Sequence, residues 1–267
     1  MHPSLPKGPL CTRSSLTNNF RSLGLSPGDT VLVHSSLSRI GWINGGAETL
    51  VHSLLDVLAP QGTLVVPTHT SSNSDPAGWV NPPVPREWWP TIRDSMPVFD
   101  VRTSRTERMG VVSETVRTWP GAVRSMHPQT SFSAIGANSK VVTEAHALDS
   151  LLGEESPLAR LEDVDAKVLL LGVGFDVCTC FHLAEYRINS RKADNSFAAL
   201  VNGKRTWMTV LDVAVSNDDF LELGKDFVAE IGLTNGKIGG AECWLFSLPQ
   251  AVKFAEKWFA SHRVPAQ

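Results

Sequence analysis

The chain of 267 residues is poor in cysteine, nearly neutral overall and without long apolar runs. Four cysteines, at positions 11, 178, 180 and 243, are too few and too unevenly spaced for a disulfide scaffold. A formal net charge of −3 gives no reason to expect nucleic acid or a membrane surface as a partner. No apolar run approaches the ~20 residues that span a bilayer. Residues 1–6 show no basic region followed by an apolar run, so we expect no secretory signal. These absences predict a reduced, cytoplasmic protein.

A strand, a helix and a second strand follow one another early in the chain. Thr30–Val33 and Thr63–Pro67 are apolar and rich in β-branched residues, which is typical of buried strands. Between them, residues 47–58 carry leucines at helical spacing. A strand–helix–strand unit predicts a parallel pair, and Lys167–Val173 is a further buried strand. We therefore expect one α/β unit over residues 1–267, with a central sheet containing parallel strands, helices around it and α+β additions.

Residues 71–97 form a segment rich in tryptophan and proline. It holds three of the eight tryptophans and six of the 17 prolines. A loop of this length without regular structure is uncommon in a compact domain and is usually functional or a linker. Three tryptophans argue against a solvated linker. The Trp/Pro-rich segment is expected to be the wall or lid of a pocket, and a packed surface loop is the alternative.

Histidines are candidates for acid–base chemistry. Four of the eight lie at a strand end or in a loop: His34, His69, His127 and His182. One histidine in such a place is typically a packed structural group, whereas four in comparable places favour a site.

His182 is the strongest candidate, because it follows the buried strand that ends in a glycine-rich turn. With Thr179 as the N-cap of the next helix, His182 falls in the first helical turn. The positive end of a helix favours the neutral imidazole, which can accept a proton. Glu185, three residues later, lies on the same helical face and can hydrogen-bond the ring or offer its carboxylate to a cationic substrate. As a neighbouring anion it would raise the pKa of His182, which opposes the effect of the helix end. The alternative is an exposed His–Glu pair without a role.

Two other kinds of site are weaker. Cys178 or Cys180, near a helix N-terminus, is a candidate nucleophile with His182 as its base. Cys180 and His182 are two residues apart, however, so their side chains diverge on a regular helix. Histidines together with Asp176 are conceivable zinc ligands, but no H-x-x-x-H or C-x-x-C pattern is present. We expect buried thiols and no metal.

Phosphate recognition would have to come from other features than a P-loop or a G-x-G-x-x-G motif, since neither occurs. Ser35 and Ser36 at a strand end, with Gly45 and Gly46 before a helix, offer backbone N–H groups to an anion. The arginines that follow the Trp/Pro-rich segment are either a solvated face or phosphate ligands: Arg102, Arg105 and Arg108.

A series of short motifs runs in order through residues 16–260. They are Leu25–Leu37, Pro67–Thr70, Asp75 with Pro76 and Trp79, Trp88–Pro97, Met109–Gly110, Arg117–Gly121, Arg124–Pro128 with Ser131 and Phe132, Gly153 with Ser156–Leu158, Leu170–Gly174 and His182–Arg187. Each is weak alone, but in this order they are specific. The chain resembles the aminoglycoside 3-N-acetyltransferase family.

The resemblance implies a function and a set of site residues. It implies acetyl transfer from acetyl-CoA to an amine, in the family's own α/β fold rather than the common GNAT acetyltransferase fold. His182 is then the general base, and Glu185 positions it or the amine. The segments that match those holding CoA contain Ser35, Ser36, Leu37, Thr68, Arg102, Met109, Gly110 and Ser131. The residues expected to face the substrate are Asp75, Trp79, His127 and Asp176.

The expected mechanism is direct transfer in a ternary complex, without an acyl-enzyme and without a metal. His182 would take the proton of the amine, and backbone N–H groups near Ser35 or Thr68 would stabilise the thioester oxyanion. The partners are CoA and a small amine, with no nucleic acid or membrane, and the chain is a monomer or a homodimer.

The acceptor is less defined than the reaction. Cys178 and Cys180 stand where the family usually has an amide or other polar residue and a small hydroxyl residue, respectively. Residues 71–110 carry five acidic and five basic side chains, whereas a polycationic aminoglycoside would favour an acidic cleft. The acceptor is therefore an aminoglycoside, at the 3-amino group of 2-deoxystreptamine, or another small amine. A Cys-dependent acyltransferase or hydrolase and a non-catalytic CoA-binding relative are the rival interpretations.

Overall fold

Apolar strands that alternate with amphipathic helices assemble into a central sheet with helices on both faces. The computed structural model describes residue 5, residues 8–233 and residues 235–263; residues 1–4 and 6, which the expectation about a secretory signal includes, lie outside these ranges. Its strands are β1 Leu10–Cys11, β2 Thr30–Ser35, β3 Trp42–Ile43, β4 Thr63–Pro67, β5 Val123–Arg124, β6 Phe132–Gly136, β7 Lys167–Leu171, β8 Lys192–Val201, β9 Lys204–Val213, β10 Gly236–Ile238 and β11 Ala241–Ser247. Its helices are α1 Arg13–Leu23, α2 Leu37–Ile40, α3 Gly46–Leu58, α4 Trp89–Ser95, α5 Gly110–Arg117, α6 Ser139–Thr143, α7 Pro157–Asp163, α8 Phe181–Arg187, α9 Phe220–Ile231 and α10 Leu248–His262. None of the helices in the described ranges combines the length and the apolar character needed to cross a bilayer.

The central sheet has seven strands in the order β10-β11-β7-β2-β4-β6-β5. Strand β2 pairs in parallel with both β4 and β7. The other neighbours in the sheet pair antiparallel, so the sheet is mixed. The strand–helix–strand unit β2–α3–β4 lies where the sequence predicts it. Because β7, β2 and β4 run in the same direction, their carboxyl ends meet at one edge of the sheet.

Helices cover both faces, which explains why the central strands carry apolar side chains on both of their faces. Val31 and Val33 of β2 point to a core formed with α1, α3 and α5. Leu32, between them, points to the opposite core, which α6 to α10 complete. Each of these three side chains is at most 1% exposed. Burial on both faces fixes the register of β2, since a shift by one residue would exchange the two cores.

Several helix boundaries differ from the predicted ones. The sequence of residues 108–119, which stops before Pro120, predicts a helix, but α5 begins at Gly110, because Arg108 has a φ of 57°, outside the helical region. The sequence also predicts a helix over residues 139–147 and an amphipathic helix over residues 217–231. The first ends at Thr143 as α6, and the second begins at Phe220 as α9. The Trp/Pro-rich segment is not without regular structure, since it contains α4 and two short 3-10 turns.

Strands β8 and β9 form a separate antiparallel hairpin. Asn202 and Gly203 both have positive φ, 48° and 75°, which is the backbone of a tight hairpin turn. The side-chain amide of Asn73 donates to the carbonyl of Ala198 and its oxygen accepts from the N–H of the same residue, both at 2.9 Å. The hairpin is thereby fixed to the start of the Trp/Pro-rich segment.

Candidate active site

A cavity of about 820 Å³ opens at the edge where the carboxyl ends of β7, β2 and β4 meet. Such an edge is where parallel α/β sheets typically bind ligands. Among the residues around this main cavity are His34, Ser35, Ser36, Leu37, His69, Arg108, Met109, Gly110, Asp176 and His182. The predicted base and most of the segments predicted to hold CoA therefore line the same space.

His182 lies in the first turn of α8, as expected, but a different residue begins the helix. The N-cap is Cys180 rather than Thr179, and no side chain caps the helix. His182 Nδ1 lies 2.5 Å from Glu185 Oε2, across one helical turn. The side chain of His182 is 14% exposed, whereas that of Glu185 is 1% exposed. The pair therefore presents the imidazole to the cavity and keeps the carboxylate beneath it.

Glu185 is surrounded by hydrogen-bond donors. The backbone N–H of Ser216 donates to its Oε1 at 3.0 Å, and the guanidinium of Arg263 donates to the same oxygen. Since Glu185 accepts from these groups, its Oε2 is an acceptor for the Nδ1–H of His182. The imidazole proton is thus placed on Nδ1, and Nε2 carries the lone pair that a general base needs.

Arg263, which the sequence analysis did not single out, contacts Glu185 beneath the cavity. It lies one residue beyond α10 and 78 residues after Glu185. It also forms a two-point ion pair with Asp219, with nitrogen–oxygen distances of 2.7 and 2.6 Å. Its guanidinium stacks 3.8 Å from the ring centre of Phe259. No local spacing signals this contact, because a basic residue at the end of a helix is usual without any role.

His34 and His69 line the main cavity with neutral rings. Burial is the main cause of their lowered pKa values, about 4 for His34 and about 3 for His69, and a positive charge on His182 would lower both pKa values further. The Nε2 atom of each ring is buried and without a hydrogen-bond partner in the described part of the chain. Both rings are therefore uncharged near pH 7, beside the proposed base.

Three of the residues predicted to bind CoA are not among those around the main cavity: Thr68, Arg102 and Ser131. Thr68 and Ser131 are fully buried, and Ser131 Oγ donates to the carbonyl of Thr68 at 2.8 Å. The N–H of Thr68 donates to Ser131 O at 2.8 Å, and that of Ser36 donates to Leu171 O at 2.9 Å. Both N–H groups therefore already donate to backbone carbonyls within the fold. The N–H of Thr68 consequently does not form the oxyanion site that we expected near this residue. Arg102 is exposed and outside the main cavity.

The four residues predicted to face the substrate do not share one cavity. Asp176 lines the main cavity, and Trp79 lines a neighbouring cavity of about 390 Å³ that shares Arg108 with it. Asp75 caps a 3-10 turn and pairs with Arg93 at 2.8 Å, so its carboxylate is already engaged. His127 is fully buried, and its Nδ1 accepts from two backbone N–H groups at 3.1 Å.

The two neighbouring thiols lie in the protein interior. Cys178 and Cys180 are fully buried, with their sulfur atoms 3.4 Å apart. Burial raises the pKa of the Cys178 thiol, which opposes formation of a nucleophilic thiolate. Across residues 8–233 and 235–263, no group of three or more His, Cys, Asp or Glu side chains is arranged to hold a metal ion. The arrangement is suited to proton transfer by an imidazole.

Comparison with known proteins gives a consistent match. The model of a family described as aminoglycoside 3-N-acetyltransferase matches residues 32–260. An SPbeta prophage-derived aminoglycoside N(3')-acetyltransferase-like protein, YokD of Bacillus subtilis, is 47% identical over 253 residues, covering 94% of this chain and 93% of that protein. Aminoglycoside N(3)-acetyltransferase III of Pseudomonas aeruginosa is 34% identical, with 94% of each chain covered.

Solved structures are similar over nearly the whole chain. The crystal structure of YokD superposes with a TM-score of 0.89 at 46% identity, covering 93% of this chain and 98% of that one. A structure of AAC-IIIb in a binary complex with CoASH superposes with a TM-score of 0.83 at 30% identity, covering 97% and 99%.

Proposed function

The chain belongs to the aminoglycoside 3-N-acetyltransferase family, and from this premise we propose that it transfers acetyl from acetyl-CoA to an amino group of an aminoglycoside or a related small amine. The observation that carries the proposal is the His182–Glu185 pair at the main cavity. Relatives in this family are named as aminoglycoside N(3)-acetyltransferases, and one related structure holds CoASH.

In the proposed reaction His182 acts as the general base. The amine nitrogen attacks the thioester carbonyl carbon, and Nε2 takes a proton from that nitrogen as the C–N bond forms. The C–S bond then breaks, and the thiolate of CoA takes the proton from His182, so the products are the acetamide and CoA and the base is regenerated. A base positioned within hydrogen-bond reach typically contributes ~10²–10⁴-fold to such a step.

Glu185 is proposed to position that base. It accepts the Nδ1–H of His182, which fixes the ring orientation and the tautomer and stabilises the imidazolium that forms during transfer. Its own position is held by the backbone of Ser216. No group in this arrangement needs to be acetylated, so the proposed transfer is direct, in a ternary complex.

CoA is proposed to lie along the segments that line the main cavity. Ser35, Ser36 and Leu37 follow β2, and Met109 and Gly110 begin α5. The apolar and backbone character of this wall suits a pantetheine arm, which needs few charges.

The acceptor class is proposed on charge. Asp176 and Arg108 are the acidic and basic side chains among the described residues of the main cavity. An amine with few positive charges fits such a balanced wall as well as a polycationic aminoglycoside does. We therefore keep both within the proposal.

A thiol-release assay with acetyl-CoA tests the proposed function. Amines should include 2-deoxystreptamine aminoglycosides and small monoamines, and turnover with any of them supports an N-acetyltransferase. His182→Ala should lower kcat ~10²–10⁴-fold while calorimetry shows CoA still bound. His52→Ala, at an exposed histidine on α3, is the matched control. Wild-type turnover that is absent with every amine, with CoA bound, would instead support a non-catalytic CoA-binding protein.

A further inference from the structure

We infer that Arg263 is a positioning residue for the proposed base, acting through Glu185 from outside the main cavity. The inference rests on the proposed function, because it assigns His182 the role of the base. It extends the His–Glu pair to a chain of four side chains that ends at Asp219.

The contacts define this chain. Arg263 Nη1 donates to Glu185 Oε1, the oxygen that does not bind His182. The other face of its guanidinium fork engages both carboxylate oxygens of Asp219. Arg263 Nη2 also donates to Ser216 O at 3.0 Å, and Ser216 N–H donates to Glu185. Arg263 therefore holds Oε1 directly and also holds Ser216, whose N–H is the other donor to Oε1.

Burial makes this support necessary. The side chain of Glu185 is 1% exposed, so water cannot solvate its charge. A buried carboxylate that loses a cationic partner is left with an uncompensated charge. It then moves, takes up a proton or rotates, and each of these changes the hydrogen bond to His182 Nδ1. Removal of Arg263 should consequently disturb the base without touching either substrate.

The geometry of Arg263 fits a fixed support rather than a mobile contact. A planar guanidinium binding a carboxylate at two points has little freedom. Stacking on Phe259 removes more. Arg263 pairs with Asp219 as well as with Glu185, so its positive charge is shared between two carboxylates.

Arg263 can be reached from solvent by a separate route. It lines a second cavity of about 630 Å³, together with Ser216, Asp219 and Phe259. His182, Glu185 and the CoA-lining segments are not among the residues around this second cavity. A small planar cation can therefore enter the space left by an Arg263→Ala substitution without entering the main cavity.

Guanidinium rescue of Arg263→Ala is the test. The variant should lose roughly 100-fold in kcat, the scale of a misplaced catalytic group, with KM for acetyl-CoA and amine unchanged. Guanidinium chloride at millimolar concentrations, far below those that unfold proteins, should restore a large part of kcat. Sodium chloride at equal ionic strength and urea at equal concentration should not.

Arg187→Ala is the matched control. Arg187 lines the same second cavity and pairs with three glutamates at 2.5 to 2.9 Å, none of them Glu185. Its replacement should lower the thermal midpoint at least as much, yet its kcat should not respond to guanidinium. A response of both variants would mean a general effect of the ion and would overturn the inference.

Two further outcomes overturn it. One is a folded Arg263→Ala enzyme with wild-type kcat, and the other is a low kcat that guanidinium does not restore at a wild-type melting temperature. With either result the proposed function still holds if His182→Ala shows the expected large loss of kcat. If His182→Ala keeps its turnover, the proposed function itself fails, whatever Arg263→Ala does.

Discussion

His182 Nδ1 and Glu185 Oε2 lie 2.5 Å apart on consecutive turns of α8, with the imidazole at a cavity and the carboxylate buried beneath it. A charge-assisted hydrogen bond of this length is strong and directional. It determines which ring nitrogen faces the cavity, and thus where a proton can be accepted.

Glu185→Gln should lower kcat by ~10²–10⁴-fold, because one amide oxygen cannot accept from both His182 and Arg263. The amide NH₂ must then face one of these donors, so the tautomer of His182 is no longer fixed. Thiol release at saturating substrates measures kcat, and KM for acetyl-CoA should be unchanged. Glu230→Gln, at an exposed position of α9, is the control. Near-wild-type kcat in Glu185→Gln would refute the positioning role.

Acid should destabilise the fold through its buried histidines. The pKa of His34 is lowered by burial from 6.5 to about 4, so the unfolded chain binds more protons than the folded chain in this range. Stability is therefore complete above pH 6.5 and is lost as the pH falls towards 4, by about 2 kcal/mol from this residue between pH 7 and pH 5.

Urea unfolding at pH 7 and pH 5 tests this origin of the acid sensitivity. His34→Leu removes a ring whose Nε2 has no partner in the described chain, so its loss of stability with acid should be smaller by about 2 kcal/mol than that of the wild type. His52→Leu, at an exposed histidine, should keep the wild-type pH dependence. Equal pH dependence of His34→Leu and the wild type would contradict the assignment.

The double variant Cys178→Ala, Cys180→Ala should retain kcat within about threefold, since no thiol takes part in direct transfer. Two buried thiols of this size are replaced by smaller side chains, so we expect a lower melting temperature by a few degrees, equivalent to about 1–2 kcal/mol. Steady-state thiol release and mass spectrometry of the wild type check both points. An acetylated cysteine on the reaction path would establish the rival Cys-dependent mechanism.

Gly110→Ala should raise KM for acetyl-CoA roughly tenfold, which is about 1.4 kcal/mol. Gly110 lines the main cavity with a φ of 79°, and an added Cβ would lie 3.9 Å from Ser35 O, within the proposed CoA wall. Gly121→Ala is a close control, because its φ is 80° and its added Cβ would meet nothing within 4 Å. Both should lose similar stability through backbone strain, but only Gly110→Ala should change KM. Equal KM values would exclude this CoA wall.

Local sequence patterns were sufficient to predict the β2–α3–β4 unit at the edge of the cavity and the His–Glu pair on α8. The β2–α3–β4 unit follows from strand composition and helical periodicity, and the pairing of His182 with Glu185 follows from their spacing of three. Both depend only on neighbours along the chain. The partners of Glu185 from other segments do not: Ser216 and Arg263 reach it through tertiary packing that no spacing specifies.

The direction in which a side chain points was the second feature that could not be predicted from the sequence. Thr68 and Ser131 belong to segments that run beside the cavity, yet their hydroxyls point into the interior and bond each other's segment. At a strand end the side chains alternate between faces, so a shift of one residue decides between cavity and core. Proline and tryptophan content likewise marked residues 71–97 as unusual but did not reveal α4, which begins with Pro90 in its first turn.

The pairing of β7 constrains when the molecule can be completed during synthesis. One edge of β7 pairs with β2, which is made early, whereas its other edge waits for β11 at residues 241–247. A nascent chain still lacking β11 leaves the apolar strand Lys167–Leu171 with an open edge, a surface prone to association with other chains. Arg263 leaves the ribosome later still. A chain synthesised only as far as residue 240 therefore has an unfinished central sheet, and α10 and Arg263 join the described fold after β11.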